Sequence, residues 1–125
     1  MQATVDCASI TQIEDDLLKT VYSDNCLLNA GHLEKIREEY SRIVGSDDLS
    51  KLRLLLVFEG SIEISRDIGE RYLTDRVRPK IGEAMVTSNA KTKEYLAAAC
   101  AVMKSSHPVE VFSTEAEAID WLKSL

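Results

Sequence analysis

The chain has 125 residues, of which 45% are hydrophobic and 29% are charged, and its formal net charge is −6. This length fits one domain over residues 1–125, and the acidic balance disfavours nucleic acid as a partner, because phosphate binding needs a basic surface. No apolar run approaches the roughly 20 residues that span a bilayer, and the N-terminus lacks the basic and apolar segments of a secretory signal. We therefore expect a cytoplasmic protein with no membrane span.

The first part of the chain is typical of extended structure. Ser9 to Ile13 and Leu17 to Tyr22 favour strands, and the acidic segment Glu14 to Asp16 favours the turn of an antiparallel hairpin between them. An extended piece from Thr4 to Cys7 leads into the hairpin, and Cys26 to Leu28 can add a short strand. An antiparallel edge of this kind can pair with a second copy, so the hairpin also predicts that a homodimer could form.

The next segment predicts an amphipathic helix. Asn29 can cap its N-terminus by accepting a hydrogen bond from a free amide of the first turn, and Gly45 suits the left-handed position after its last turn. Between these two residues, apolar side chains recur at spacings of three, four and three, which places them on one helix face. They are Leu33, Ile36, Tyr40 and Ile43.

The segment from Leu52 to Phe58 is nearly continuous in apolar residues. Such a run indicates a strand that is buried on both faces, as in a central strand covered by helices. The residues from Glu59 to Ser61 break this strand. Ser65 can then cap a second helix, which must end before Pro79 because a proline ring clashes with a continuing helix.

The second half alternates strands with helices. Gly82 to Ser88 predicts a buried strand, and Ser88 or Asn89 can cap a third helix that runs to about Lys104. Val109 to Phe112 predicts the last strand, and Thr114 to Glu117 has the capping-box pattern of a fourth helix. This alternation favours parallel strands with right-handed crossovers. The predicted fold class is therefore α/β, with a mixed, partly parallel sheet of about five strands and four helices.

These segments resemble a known family. The order of elements is similar to the STAS or anti-sigma-factor-antagonist-like fold, and it is most similar to the bacterial branch described as STAS/SEC14-like. The resemblance implies a regulatory or protein-interaction module that is not an enzyme, acting on a partner protein or on itself. The residues that carry the resemblance are Leu54 to Phe58, Ile64 to Asp67, Ala84 to Ser88, Pro108 to Phe112 and Ala116 to Leu122.

In antagonist members of that fold, a partner kinase phosphorylates a serine at the start of the helix that follows the buried strand. The resemblance carries this role to Ser65, with Ser61 as the second candidate and Arg66 beside them. Phosphorylation there would add about two negative charges at a helix N-terminus and change which partner docks. At this place the family has an Asp-Ser-Ser/Thr-Gly motif, whereas this chain has Glu63-Ile64-Ser65-Arg66.

A group of arginines follows Ser65 in an otherwise acidic chain. Guanidinium groups bind phosphate or carboxylate through a planar fork, so this group could hold an anion. Acidic residues lie between the arginines, and the alternative is a solvated face with weak local ion pairs. The candidate anion-binding residues are Arg66, Arg71, Arg76 and Arg78.

The residues that usually carry chemistry are sparse. Cys7, Cys26 and Cys100 are far apart in sequence, which favours reduced, partly buried thiols in a cytosolic protein, with a redox or nucleophilic role as the alternative. His32 and His107 have no ligand spacing around them, so surface or capping roles are favoured over metal binding. Phosphate-binding glycine loops and the G-x-S-x-G elbow are absent. We expect no enzyme activity, no metal and no cofactor.

A second function remains open at this stage. The SEC14-like side of the resemblance implies a carrier for a lipid or another small apolar ligand. Small residues from Ala97 to Ala101, together with the flexible side chains of Met85 and Met103, could line its cavity. Against this role, a chain of this size has little volume beyond its close-packed core.

Overall fold

The structure, a computed structural model, describes residues 2–65, 80–102 and 107–125. Over these residues it is a mixed α/β fold. The strands are β1 (Gln2–Val5), β2 (Ala8–Glu14), β3 (Leu17–Tyr22), β4 (Cys26–Leu28), β5 (Arg53–Phe58), β6 (Ile62–Ile64), β7 (Gly82–Thr87) and β8 (Val109–Phe112). The helices are α1 (Ala30–Val44), α2 (Ala90–Val102) and α3 (Glu115–Lys123).

Six of these strands form one sheet in the order β1-β2-β3-β5-β7-β8. The strands β1, β2 and β3 pair antiparallel, whereas β3, β5, β7 and β8 pair parallel. The N-terminal hairpin and the parallel second half are therefore confirmed. The sheet has one strand more than expected, because the extended N-terminal piece pairs with β2 over its whole length and becomes the edge strand.

The remaining two strands form a small sheet of their own. β4 and β6 pair in parallel, with Cys26 opposite Ile62 and Leu28 opposite Ile64. The short strand β4 was predicted, but β6 was not. Its three residues alternate apolar, acidic and apolar, which is a period-2 signal too short to separate from a loop.

The strand β5 lies in the middle of the large sheet and is buried on both faces, as predicted. Leu54 and Leu56 pack into the larger core, which also contains Ile36 of α1 and Leu96 of α2. Leu55 points to the opposite face and joins a second core against α3. Each fully buried leucine contributes roughly 1.5–3 kcal/mol relative to an exposed one, so this strand unites both helical layers with the sheet.

The predicted helix caps are confirmed by hydrogen bonds. Asn29 Oδ1 accepts from the His32 N–H at 2.9 Å, and Gly45 ends α1 with a φ of 73°. Of the two alternatives for α2, Asn89 is the cap, with Oδ1 accepting from the Thr92 N–H at 2.9 Å. Thr114 caps α3, because its side-chain oxygen accepts from the Glu117 N–H. The Glu117 side chain reaches back toward the cap, and its carboxylate accepts from the Thr114 hydroxyl.

Three helices are described where four were predicted. The helix predicted to start at Ser65 falls on residues 66–79, which lie outside the described residues, as does the predicted end of α2 near Lys104. None of the described helices is long and apolar enough to cross a membrane.

Arg53, the first residue of β5, holds the C-terminal end of α3 against the sheet. Its Nε donates to the Leu122 carbonyl oxygen at 2.8 Å, and a terminal nitrogen donates to a main-chain oxygen of Leu125 at 2.9 Å. The other terminal nitrogen is paired with the carboxylate of Asp16. A single partly buried guanidinium therefore links the hairpin turn, the central strand and the last helix.

We expect Arg53→Met, which keeps the apolar stem but removes these donors, to lower the free energy of unfolding by about 1–3 kcal/mol. The midpoint of urea denaturation measures this change. Arg42→Met is the matched control, because Arg42 pairs with Glu39 on the exposed face of α1. A midpoint for Arg53→Met that equals that of Arg42→Met would contradict the role of Arg53.

Candidate functional site

The two candidate serines lie at the ends of the strand β6. Ser61 is exposed and precedes β6, whereas Ser65 is half-buried and follows it. The main-chain N–H of Ser65 donates to the Leu28 carbonyl oxygen at 2.8 Å. The structure therefore places Ser61 at the start of a strand and not at a helix N-terminus. We call β4, β6 and these two serines the small-sheet surface.

The loop that enters β6 is held by side chains from two other elements. Asp24 Oδ1 accepts from the Ser61 N–H at 2.8 Å, and the Asn25 N–H donates to the Ser61 carbonyl oxygen, also at 2.8 Å. Thr92, in the first turn of α2, donates its hydroxyl to the Gly60 carbonyl oxygen at 2.9 Å. These bonds fix the position of Ser61 relative to the large sheet.

Gly60 is required in this loop because Asp24 occupies the space of a side chain. A Cβ atom on Gly60 would overlap Asp24 Oδ1, the oxygen that accepts from the Ser61 N–H. The contact is far below van der Waals distance, so an alanine would displace the carboxylate and break its hydrogen bond.

The candidate anion-binding residues follow Ser65 in the sequence. Arg66, Arg71, Arg76 and Arg78 all lie between residues 66 and 79, outside the described residues. Their juxtaposition with Ser65 stays a prediction from the sequence.

A cluster of two cysteines and one histidine lies behind the small-sheet surface. Cys7, in the turn between β1 and β2, is bonded through its sulfur to Cys26 at the start of β4. The expectation that these two thiols are reduced is wrong in this structure, and Cys100 is not part of this disulfide. The sulfur atoms and a ring nitrogen of His32 all lie within 4.8 Å of one another. We call these three residues the sulfur–imidazole cluster.

His32 is buried, with 3% of its surface exposed, so of the two expected roles, surface or capping, the surface role is wrong. Its Nε2 lies 2.8 Å from the Val5 carbonyl oxygen, and the Asp6 carboxylate lies 4.0 Å from the same nitrogen. Because a carbonyl only accepts, Nε2 carries the proton in the neutral ring. Nδ1 then holds the lone pair, and among the described residues it has no hydrogen-bond partner.

His107 is buried as well, which also differs from the expected surface role. Its Nε2 lies 3.9 Å from a carboxylate oxygen of Glu83, in the strand β7. The main chain joins the same two segments, since the Glu83 N–H donates to the Pro108 carbonyl oxygen at 3.0 Å. This pair lies where β8 joins the sheet, away from the small-sheet surface.

The residues predicted to line a carrier cavity differ in burial. Met85 is fully buried in the core, whereas Ala97, Ala98 and Ala101 are exposed, and Met103 lies outside the described residues. The carrier function therefore stays a prediction from the sequence.

An open groove of about 290 Å³ lies at the opposite end of the strands, lined in part by Asp16, Asp48 and Leu52. Hydrogen bonds from the Ser50 side chain and main chain hold the pKa of the Asp48 carboxyl below its ordinary value. Asp16 is already paired with Arg53. Asp16 and Asp48 therefore stabilise turns of the fold.

The chain matches no known family model, no curated protein and no solved structure.

The sulfur–imidazole cluster is the feature that sequence reasoning missed. Eighteen residues lie between Cys7 and Cys26, and five lie between Cys26 and His32, a Cys-x18-Cys-x5-His spacing that matches no short metal or redox motif. The local signal in the sequence is that His32 lies three residues after the cap Asn29, in the first turn of α1. A side chain at that position can point toward the strands that precede the helix. The meeting with Cys7 depends on how the hairpin folds over α1.

We expect Gly60→Ala to lower the free energy of unfolding by about 1–3 kcal/mol, because overpacking forces neighbouring groups to move. Gly31→Ala is the matched control, since its Cβ would meet nothing nearer than Asn29 Oδ1 at 3.4 Å. Because glycine destabilises a helix relative to alanine, Gly31→Ala should raise the free energy of unfolding by about 0.5–1 kcal/mol. Urea denaturation of both variants checks the sign, and a neutral Gly60→Ala would contradict the Asp24 contact.

Proposed function

We propose that this chain is a non-catalytic regulatory module of the STAS-like type that acts in the cytoplasm by binding a partner protein through the small-sheet surface. The observation that carries this proposal is that β4 and β6 form a sheet separate from the main one. Their residues face outward in part: Leu27 is 49% exposed, and Glu63 and Ser61 are exposed as well. An apolar side chain ringed by polar ones suits a protein contact.

The rigidity of the entry loop supports the proposal. The bonds from Asp24 and Thr92 hold Gly60 and Ser61 in place before any partner arrives. A preordered surface loses less conformational entropy on binding than a loose loop does, and this increases its affinity for a given set of contacts. The net charge of −6 favours a protein over a nucleic acid as the partner.

Phosphorylation would act differently at the two serines. At Ser61 a phosphate would stand beside the Asp24 carboxylate, which holds the Ser61 N–H, so like-charge repulsion would loosen the entry to β6. At Ser65 it would stand next to Arg66 in sequence, a cation that can pair with it. We propose Ser61 as the site at which added charge disrupts the surface and Ser65 as the site at which added charge creates a new contact.

A second copy of the chain is the other candidate partner. Among the described residues, β1 pairs with no strand other than β2, so its outer edge has no strand partner, although the Val5 carbonyl oxygen is bonded to His32 Nε2. An open antiparallel edge can extend the sheet across a dimer axis. This contact would lie at the hairpin edge and would use residues other than those of the small-sheet surface.

We expect Leu27→Asp to abolish capture of the partner from native-host extract by the immobilised chain, because the change places a charge in the centre of the contact. Ile13→Asp is the matched control: Ile13 is 41% exposed but lies on β2, and it should leave capture unchanged. Quantitative mass spectrometry of the captured proteins measures the difference. The proposal fails if both variants capture the same proteins as the unaltered chain.

We expect Ser61→Asp to weaken the same capture by about tenfold or more, as like charges at an interface cost several kcal/mol. Ser88→Asp adds the same charge at an exposed serine outside the small-sheet surface and should have no effect. Mass spectrometry of the chain isolated from its host tests whether either candidate serine carries phosphate. Unmodified Ser61 and Ser65, together with full binding by Ser61→Asp and Ser65→Asp, would exclude the phosphorylation switch.

A further inference from the structure

The sulfur–imidazole cluster has the composition of a metal site. Its donor atoms are two cysteine sulfurs and one imidazole nitrogen, all within 4.8 Å of one another. Thiolate and imidazole donors together select Zn²⁺ over the hard cations Mg²⁺ and Ca²⁺. We propose that Cys7, Cys26 and His32, once the disulfide is reduced, bind one Zn²⁺ ion. This inference is independent of the proposed partner surface.

His32 is prepared to act as a ligand. Its ring is almost fully buried, and the bond from Nε2 to the Val5 carbonyl oxygen leaves the lone pair on Nδ1. That nitrogen is a buried acceptor with no hydrogen-bond partner among the described residues, and a buried acceptor that nothing satisfies lowers the stability of the fold. A bond from the other ring nitrogen to a main-chain carbonyl is the usual outer contact that orients a metal-binding histidine.

The two cysteines are held in place by main-chain hydrogen bonds as well as by their own bond. The Ser23 N–H donates to the Cys7 carbonyl oxygen at 3.0 Å, and the Cys26 N–H donates to the Ser23 carbonyl oxygen at 3.2 Å. After reduction, the sulfurs would therefore stay near each other and near His32. Around tetrahedral Zn²⁺ two thiolate sulfurs stand about 3.8 Å apart, which follows from Zn–S bonds of about 2.3 Å. Side-chain rotation alone covers this change.

Conversion of the disulfide to the Zn²⁺-binding form needs two electrons and two protons, which a dithiol can supply as the reductant. The dithiol transfers two electrons and two protons to the disulfide, which gives two thiols, and is itself oxidised to a disulfide. Zn²⁺ then displaces the two protons as it binds the two thiolates. Cys7 is the sulfur that a reductant attacks, since it is half-buried, whereas Cys26 is only 1% exposed.

The metal would take over the structural task of the disulfide. Disulfides are rare in the reducing cytoplasm, and without a metal the reduced cluster would place two thiols beside His32 Nδ1, which has no hydrogen-bond partner among the described residues. A bound Zn²⁺ joins the β1–β2 turn, the strand β4 and the helix α1 through the same atoms. The three protein donors leave one coordination position for water.

The test uses the whole chain, reduced with a phosphine, stripped of metal by a chelator and kept free of oxygen. We expect one Co²⁺ per chain, with the intense visible bands and the thiolate-to-metal charge-transfer band of a tetrahedral site, and displacement of Co²⁺ by Zn²⁺. Competition with a chromophoric chelator then measures the affinity for Zn²⁺. The oxidised chain should bind neither metal at this site.

Variants assign the ligands. Cys7→Ser and His32→Asn should each weaken Zn²⁺ binding by more than about 100-fold. Loss of an outer contact that only orients a ligand already costs up to about 100-fold, and loss of the ligand itself should cost more. Cys100→Ser is the matched control and should bind as the unaltered chain does. Because His32 is buried, circular dichroism checks that His32→Asn folds. If His32→Asn does not fold, Zn²⁺ binding by Cys7→Ser, which alters a half-buried turn residue, tests the site.

Several results would overturn the proposal. They are failure of the folded, reduced chain to retain Zn²⁺ against the chelator, unchanged binding by Cys7→Ser, loss of binding in Cys100→Ser, and a Co²⁺ spectrum without thiolate bands. If reduction unfolds the chain, restoration of its circular dichroism by one equivalent of Zn²⁺ supports the site, and no restoration rejects it. None of these measurements involves the partner, so they stand apart from the tests of the small-sheet surface.

Discussion

The burial of β5 on both faces is the constraint from which the rest of the structure follows. A strand whose Leu54 and Leu55 both avoid water must lie between two covered surfaces, so helices are needed on each side of the sheet. Parallel partners on both edges then direct every loop that follows a parallel strand to the same end. The loop after β5 therefore comes beside the loop after β3, and this proximity lets Asp24 hold Ser61.

The small sheet is the less ordinary part of the molecule. β4 leaves the hairpin and pairs with β6 and not with the main sheet, so a short ribbon stands at the carboxyl end of the parallel strands. The small-sheet surface and the sulfur–imidazole cluster meet there, because Cys26 is both the first residue of β4 and a member of the cluster. The state of the cluster and the position of the small-sheet surface are thus connected through one residue and its pairing with Ile62.

Several sequence predictions went wrong for a common physical reason. His32 and His107 were expected at the surface because isolated histidines in a sequence carry no local signal of burial, yet each lies against a strand that is distant in the chain. The bond between Cys7 and Cys26 likewise depends on a turn in the hairpin and on the start of β4, 19 residues later. Long-range contacts of this kind leave no periodicity in either segment.

The sequence by itself determined the elements whose signals are local: the continuous apolar run of β5, the stripe and caps of α1, the Thr114 cap, and the alternation that favours a parallel sheet. These signals are side-chain spacings within one or two helix turns and hydrogen bonds between residues three positions apart in the sequence. For α2 the sequence left the cap open between Ser88 and Asn89, and the structure assigns it to Asn89. Only the tertiary structure decided which side chains meet, namely the cysteines with His32, Asp24 with Ser61, and Arg53 with the end of α3. Such meetings are decided by how the layers pack, since burial brings together residues that the chain keeps far apart.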